Sequence, residues 1–466
     1  MMPATTLAFA GVTHRQVQTH LFPGDGCEAA AILLCARTPG PRHKLLVREA
    51  ILVPHAACAR RERDAISWPG RYIEQAIDNG EAEELVIILL HSHPGGLFAF
   101  SDIDDASDRA TIPCLFQAYG HWHGSAIMTP NGAIRGRLYG PDMAPRPIDL
   151  ITSAGDDIHF WWGDERSLTA PNIRPVAFTG GMTGELARLH AVVIGVSGTG
   201  SIQAEQAARL GFGRITLIDF DKIERKNLNR ILNTSFADAQ AGCLKVDAFA
   251  AAITAYRGPD VAVPVAASIN TREAVLAASQ GDVLFCCVDT LEARHVADLV
   301  AAAFVMPLFD VGVVIPGRKT AYGFAIADAV GRIDYVQPGG ATLCDRKVYT
   351  SETLRAEYLR WAAPDAHAQE LEAGYIKGAI EEAPAVITLN MRAASACMNE
   401  FILRAYPFRL EPNRDFTRTL FSLAAVDEDH LSEDDFEVGP NPVFARGSLE
   451  PLLGLPALAP IKTGQP

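Results

Sequence analysis

The sequence predicts an α/β chain built as two units, and three observations predict it. The apolar run Leu85-Val86-Ile87-Ile88-Leu89-Leu90 reads as a buried strand leading into His91-Ser92-His93, in a stretch of short strand-like runs and two helical segments. From Ala191 onward strand and helix signals alternate, the pattern of a parallel sheet. Pro145, Pro147 and the polar run Ser153-Ala154-Gly155-Asp156-Asp157 separate the two stretches. The expected organisation is an α+β unit over residues 1–160, a second α/β unit over 161–438, and a Pro/Gly-rich arm over 439–466, extended or mobile. At 466 residues the chain is long enough for two cores.

Composition narrows the function classes. Apolar content of 48% with 21% charged residues is that of a globular protein, and a net charge of −14 without a Lys/Arg run argues against a nucleic-acid partner. No segment reaches the roughly 18 to 20 uninterrupted apolar residues of a membrane span. The start, Met1-Met2-Pro3-Ala4-Thr5-Thr6, lacks the basic and apolar blocks of a signal peptide, so a cytoplasmic location is expected. Nine cysteines without a Cys-x-x-Cys pair make a disulfide framework an unlikely design.

In the first unit, His91, His93, Ser101 and Asp104 have the spacing of a hydrolytic zinc site. Alternate residues of a strand face one side, so His91 and His93 can hold one ion. With Asp104 they leave a fourth tetrahedral position for water. Ser101-Asp102-Ile103-Asp104 is also a capping box opening a helix through Ala106 and Arg109, and a helix start after a Gly-rich loop can return Asp104 to the strand end. His-x-His, seven residues, Ser-x-x-Asp resembles the motif of the JAB/MPN (JAMM) metalloproteases, which cut isopeptide or peptide bonds after ubiquitin-like proteins. That family uses an upstream glutamate, and Gly26-Cys27-Glu28-Ala29-Ala30-Ala31-Ile32-Leu33-Leu34-Cys35 resembles its stretch. The resemblance implies Glu28 as general base and Ser101 as hydrogen-bond donor to the oxyanion. A second pair, His121-Trp122-His123, has no Ser-x-x-Asp after it and reads as part of a strand of the same unit.

The second unit opens on Ala191-Val192-Val193-Ile194-Gly195-Val196-Ser197-Gly198-Thr199-Gly200-Ser201, a strand, a glycine turn and a helix start, with the helix expected over Ile202–Leu210. A second strand ends in Asp219, 19 residues after Gly200, where a ribose-binding carboxylate belongs in a Rossmann-like unit. Ser197 departs from the dinucleotide fingerprint, which weakens a dehydrogenase reading, and there is no Walker lysine. Ile218-Asp219-Phe220-Asp221-Lys222-Ile223-Glu224-Arg225-Lys226-Asn227-Leu228-Asn229-Arg230 closely resembles the signature of the ThiF/HesA-type activating enzymes for ubiquitin and its prokaryotic relatives. The resemblance implies an ATP site at Gly195, Gly198, Gly200, Asp219 and Asp221, with Asn227, Arg230 and Lys245 on the phosphates and Asp289 holding magnesium. Such chemistry joins two anions, a polypeptide carboxylate and a phosphate, so cations and a helix N-terminus offset the repulsion.

Two further residues rest on the resemblance with alternatives open. Arg174 sits about where relatives have an arginine that reaches across a homodimer to the partner's ATP, and otherwise reads as a surface arginine. Cys344 lies where family members place a thioester-forming nucleophile, with Arg346 and Lys347 as helpers, and otherwise reads as a remnant of a structural zinc site. The resulting expectation is a bifunctional enzyme. It adenylates the C-terminal Gly of a ubiquitin-like protein with ATP and Mg2+, and a Zn2+ peptidase half processes or removes that protein, with a separate conjugating enzyme as partner. Sulfur-carrier activation and an inactive modifier-binding scaffold are the alternatives.

Overall fold

The computed structural model describes residues 2–169, 174–321, 323–364 and 386–460. The first part contains β1 (Thr5–Ala10), α1 (Gly11–Leu21), β2 (Ala30–Arg37), β3 (His43–Leu52), β4 (Arg60–Arg61), β5 (Ile66–Ser67), α2 (Arg71–Gly80), β6 (Val86–Ser92), α3 (Asp102–Ala118), β7 (His123–Met128), β8 (Ile134–Tyr139), β9 (Arg146–Pro147), β10 (Leu150–Ala154) and β11 (Ile158–Trp162). Nine of its strands form one mixed sheet in the order β11-β10-β1-β3-β2-β6-β7-β8-β9. The two apolar runs read from sequence, β2 and β6, pair antiparallel at its centre, where both faces are covered. Helices number three before residue 160, not two. The unexpected one, α2, packs Ile73, Ala76 and Ile77 on the core from an otherwise polar run too short to stand out by periodicity.

The second part contains α4 (Gly180–Leu186), β12 (His190–Ile194), α5 (Gly198–Leu210), β13 (Arg214–Ile218), α6 (Phe236–Ala241), α7 (Lys245–Arg257), β14 (Ala262–Val265), α8 (Arg272–Ala278), β15 (Val283–Cys286) and α9 (Leu291–Ala303). It continues with β16 (Leu308–Val314), β17 (Gly317–Thr320), β18 (Gly323–Ile326), β19 (Val330–Val336), α10 (Ser351–Ala362), α11 (Ile387–Ala405), β20 (Arg418–Ser422) and β21 (Asp427–Leu431). The sheet order is β14-β13-β12-β15-β16-β19-β20-β21. The first five strands are parallel, as the alternation predicts. The last three run antiparallel, because β16 returns through the β17–β18 ribbon instead of a helix. The chain passes from β12 outward through β13 and β14, then crosses to β15 on the other side of β12. That reversal opens a crevice at the carboxyl ends of β12 and β15, where doubly wound sheets bind ligands.

The two sheets share a core. One apolar cluster joins Ala8, Ile32 and Leu46 to Val192, Ile194 and Leu284, so burial is continuous across the boundary near residue 160. Polar contacts reinforce it at the amino edge of the second sheet: Lys44 Nζ donates to Gly281 O at 2.6 Å, and Arg42 pairs with Asp282 at 2.8 Å. The C-terminal stretch packs too, with Ala445, Leu452, Leu453 and Leu458 in the same cluster, while residues 461–466 lie outside the described residues.

Candidate active sites

β6 runs through Ser92, and the pairing Ala30↔His91 sets His91 beside the start of β2. His93 follows directly, its N–H donating to Met128 O at 2.8 Å. Two residues before β2, the Glu28 N–H donates to Glu62 O, and Ser92 Oγ accepts from the Ala29 N–H at 2.8 Å, which brings Glu28 to the same edge. α3 supplies the last carboxylate. Its capping box is formed: Asp104 N–H donates to Ser101 Oγ at 3.3 Å, and Ser101 N–H donates to Asp104 Oδ2 at 2.6 Å. Capping and site-building are therefore one feature, because the box that starts the helix also aims Asp104 at the histidines.

The interatomic spacing is informative. His91 Nε2 lies 3.1 Å from His93 Nε2 and 3.0 Å from Asp104 Oδ1, and His93 Nε2 lies 3.5 Å from Asp104 Oδ2. A tetrahedral zinc with bonds of about 2.1 Å holds its ligand atoms roughly 3.4 Å apart, so this donor set fits such an ion. His93 Nδ1 is 2.8 Å from Leu97 O, which only accepts, so Nδ1 donates and Nε2 is the nitrogen that faces the cluster. Burial pushes the Asp104 carboxyl up, but hydrogen bonds from His91 and His93 outweigh it and hold the group well below the usual carboxylate range. Glu28 groups with His91 and His93 as a possible metal set, all three ligand atoms within 4.8 Å of one another. Burial raises its carboxyl, with the two imidazoles pulling the other way.

Beneath this cluster lies a network that the sequence did not disclose. One turn along α3 from Asp104, buried Asp108 accepts from Tyr139 OH at 2.7 Å, from Arg137 Nε at 2.9 Å, and from Ser125 Oγ. It ties α3 to β7 and β8 and so fixes where Asp104 stands. The i, i+4 spacing to Asp104 was the available signal. His123, in β7, uses both ring nitrogens internally, Nδ1 accepting from Ile87 N–H at 3.1 Å and Nε2 donating to Tyr119 O at 2.9 Å. Of the second His-x-His pair, His123 is thus built into the sheet, while exposed His121 stands two residues before β7.

At the crevice of the second sheet, Gly195 takes a φ of +82°, and a Cβ on Gly200 would stand 1.6 Å from Gly195 O, so the turn needs both glycines. Helix α5 starts at Gly198, four residues earlier than read from sequence. Asp219 Oδ2 accepts from Val196 N–H and Oδ1 from Asp221 N–H, each at 2.8 Å, which pins the turn to the end of β13. Burial raises the Asp219 carboxyl, and the Lys245 ammonium opposes that. Lys245, 5% exposed, contacts Asp221 Oδ2 at 2.6 Å and Asp219 Oδ1 at 3.9 Å. Asn227 is buried, its Oδ1 accepting from Glu224 N–H at 3.0 Å. Arg230 passes over the turn, its Cδ 3.2 Å from the point a Gly198 Cβ would occupy, with Nη1 donating to Lys226 O at 3.0 Å. Asp289 is exposed, three residues beyond β15 and on the same carboxyl edge.

Two expectations fare differently. Arg174 Nη1 donates to Arg404 O and Ala405 O, each at 3.2 Å, and Nη2 lies 2.7 Å from the His159 ring. Its guanidinium is thus engaged at the end of α11 in its own chain. Cys344 is exposed in the segment between β19 and α10, where the neighbouring Leu343 N–H donates to Asp298 Oδ2 of α9 at 2.9 Å. Arg346 does not assist the thiol, being fully buried between Asp334 at 3.4 Å and Glu433 at 3.0 Å. Burial, then Asp345 and Asp298, push the Cys344 thiol up, against a smaller pull from Lys347.

With that geometry in place, comparison with known proteins gives two matches along the chain. Residues 12–138 match the prokaryotic homologs of the JAB domain, and residues 170–336 match the ThiF family. The chain joins a JAB-type domain to a ThiF-family domain. Ubiquitin-like modifier-activating enzyme 5 of Drosophila pseudoobscura pseudoobscura is 31% identical over 134 residues, 26% of this chain and 33% of that protein. The Bombyx mori protein of the same name is 34% identical over 133 residues, again 26% of this chain and 33% of that one. The chain thus spans about a third of the length of these curated relatives. Among solved structures, E. coli MccB with ATP aligns at a TM-score of 0.41 and 16% identity, covering 57% of this chain and 68% of that chain. MccB in complex with N-formylated MccA aligns at 0.42 and 17%, covering 57% and 69%. No helix among the described residues is long and apolar enough to cross a membrane.

Proposed function

We propose that this JAB–ThiF chain is a bifunctional enzyme that adenylates the C-terminal Gly of a ubiquitin-like protein and hydrolyses peptide or isopeptide bonds of that protein at a zinc centre. The observation that carries the hydrolytic half is the 3.0–3.5 Å spacing of the donors on His91, His93 and Asp104, with Glu28 beside them. Zinc, when bound there, would supply Lewis acidity toward the scissile carbonyl and a water acidic enough to attack at neutral pH. Glu28 takes the proton of the attacking water and delivers it to the leaving nitrogen, a role suited to a carboxylate raised by burial. Ser101 Oγ donates to Asp104 Oδ2 at 2.8 Å, so its first task is to orient that ligand; donation to an oxyanion requires the hydroxyl to turn.

For the ThiF half, the support is the glycine turn pinned by Asp219 at the topological reversal, with Asp221, Asn227, Arg230 and Lys245 around it. A tail carboxylate oxygen attacks the α-phosphorus of ATP, the bond to the bridging oxygen of the β-phosphate breaks, and pyrophosphate leaves. Asp289 would hold magnesium at the same edge. Curated relatives named for activating a ubiquitin-like modifier support this choice of substrate. A homodimer with Arg174 serving the neighbouring copy belongs to this reading only if that side chain leaves its bonds to α11.

Cys344, exposed and with a thiol pushed up by burial, Asp345 and Asp298, belongs to this reading as the thioester-forming nucleophile; without that step the adenylate passes to an acceptor outside this chain, a separate conjugating enzyme or a sulfur donor. The test is exchange of labelled pyrophosphate into ATP that depends on a ubiquitin-like protein ending in Gly, run beside zinc-dependent cleavage of a fusion of that protein. An Asp219→Ala variant with full exchange, or a Glu28→Gln variant with full cleavage, overturns the corresponding half. Absence of both activities in the wild type leaves a binding scaffold as the better description.

A further inference from the structure

A side chain outside every motif of the nucleotide signature reaches the centre of that site. Asn390 stands in the first turn of α11, and a Cβ on Gly198 would lie 2.3 Å from its Nδ2 and 3.2 Å from Arg230 Cδ. Two polar side chains from distant parts of the chain thus converge on the residue that opens α5. The first N–H groups of a helix have no acceptor within it, so the mouth of this 13-residue helix is already a donor array for anions.

A second observation points independently to a ligand. Asn390 is 2% exposed, and its Oδ1 accepts no hydrogen bond. Gln203, the residue of α5 five positions after Gly198, is fully buried with neither amide atom bonded. A buried amide need not be left so: the Asn413 amide donates to Asp157 at 2.7 Å and Leu403 O at 3.0 Å. A buried amide without a partner is unfavourable, and native proteins retain one where a partner arrives from outside.

We propose that Asn390 is a substrate-binding residue of the adenylation reaction, with its amide placed between the α-phosphate and the polypeptide tail. Nδ2 donates to an α-phosphoryl oxygen above Gly198, and Oδ1 accepts a backbone N–H of the tail next to the carboxylate that attacks. One planar amide thereby sets the angle between the two reactants at the atom where the new C–O–P linkage forms, which is an orientation effect. The inference rests on the adenylation reading, deepens it, and extends the site beyond residue 336, where the ThiF match ends.

The test uses the full chain, MgATP and a Gly-terminated ubiquitin-like protein. Calorimetric binding of MgATP and pyrophosphate exchange are measured for wild type, Asn390→Ala and Asn390→Asp, with thermal midpoints as the control on folding. Asn390→Ala should bind MgATP about ten- to a hundredfold more weakly and raise the tail concentration needed for half-maximal exchange, at a melting midpoint near that of wild type. Asn390→Asp, equal in size but anionic, should lose more. Unchanged MgATP affinity and exchange in a folded Asn390→Ala overturns the proposal while leaving adenylation intact, and so does an Asn390→Asp that outperforms it. If the Ala variant does not fold, the Asp variant decides alone, wild-type affinity overturning the proposal. Absence of MgATP binding and exchange in wild type overturns the adenylation reading and this inference with it.

Discussion

The metal-type cluster and the nucleotide-type cluster are built on opposite plans. His91, His93, Ser101 and Asp104 come from 14 consecutive residues, one strand end and one helix cap, with donor atoms within 3.5 Å of one another. At the other site, Gly198, Asp219, Arg230, Lys245, Asp289 and Asn390 are drawn from almost 200 residues, and the edge of a parallel sheet assembles them. A metal centre of the first kind depends on one strand, one cap and the bracing of one helix through Asp108. An adenylation centre depends on the topology of its whole sheet. The first part docks on the amino edge of the second sheet, through Lys44 and Arg42, whereas the nucleotide crevice opens on the carboxyl edge.

The largest effects should come from crossing the sites. His93→Ala is expected to abolish zinc binding and cleavage while pyrophosphate exchange stays within twofold. Asp219→Ala should abolish exchange and leave zinc content and cleavage unchanged. Loss of both activities in either variant breaks the comparison, because it would mean that the halves act as one catalytic unit.

Next in size is the support under Asp104. Removing Asp108 leaves Arg137 without its buried partner, and breaking such a pair costs about 3 kcal/mol or more. Asp108→Ala should therefore lower the urea midpoint and weaken zinc affinity, with exchange by the surviving folded protein unaltered. Undiminished zinc affinity would show that Asp104 needs no bracing from Asp108.

Smaller is the pH dependence of the junction. Burial lowers Lys44 from the ordinary lysine value of 10.5 to about 7, so between these values the unfolded chain binds the proton and the folded chain does not. Stability from this group therefore rises with pH from about 7 upward, by at most about 1.4 kcal/mol per pH unit. Urea midpoints of wild type and Lys44→Met, measured between pH 7 and 9, should converge or cross in favour of wild type as pH increases. A constant difference would mean that Lys44 titrates normally and that the junction is open to water. The smallest effect is expected at Cys344: Cys344→Ser should leave exchange within twofold, because pyrophosphate leaves before any thiol reacts, and a loss of exchange would place the thiol in the adenylation step itself.

Much of this could be read from the residues because the signals were local. The β6 run, the Ser101–Asp104 box and the β12-turn-α5 unit each occupy a short window, and each folds as its periodicity indicates. The antiparallel end of the second sheet was not legible, since strands β19–β21 look like any other strands until their partners are known. Asp108 and Asn390 carry no motif, and only the elements that meet around them reveal their use.

Sequence by itself determined the two-unit α/β organisation, the metal-type donor set and the nucleotide signature, because strand alternation, capping and glycine turns are set by neighbours a few residues apart. Tertiary structure alone decided that the two units share a core, that the second sheet ends in antiparallel strands, that Asp108 braces the helix carrying Asp104 and that Asn390 stands beside Gly198. Those outcomes depend on which strands pair and in which direction, and pairing is fixed by the burial of whole sheet faces, a property that no short window of residues contains.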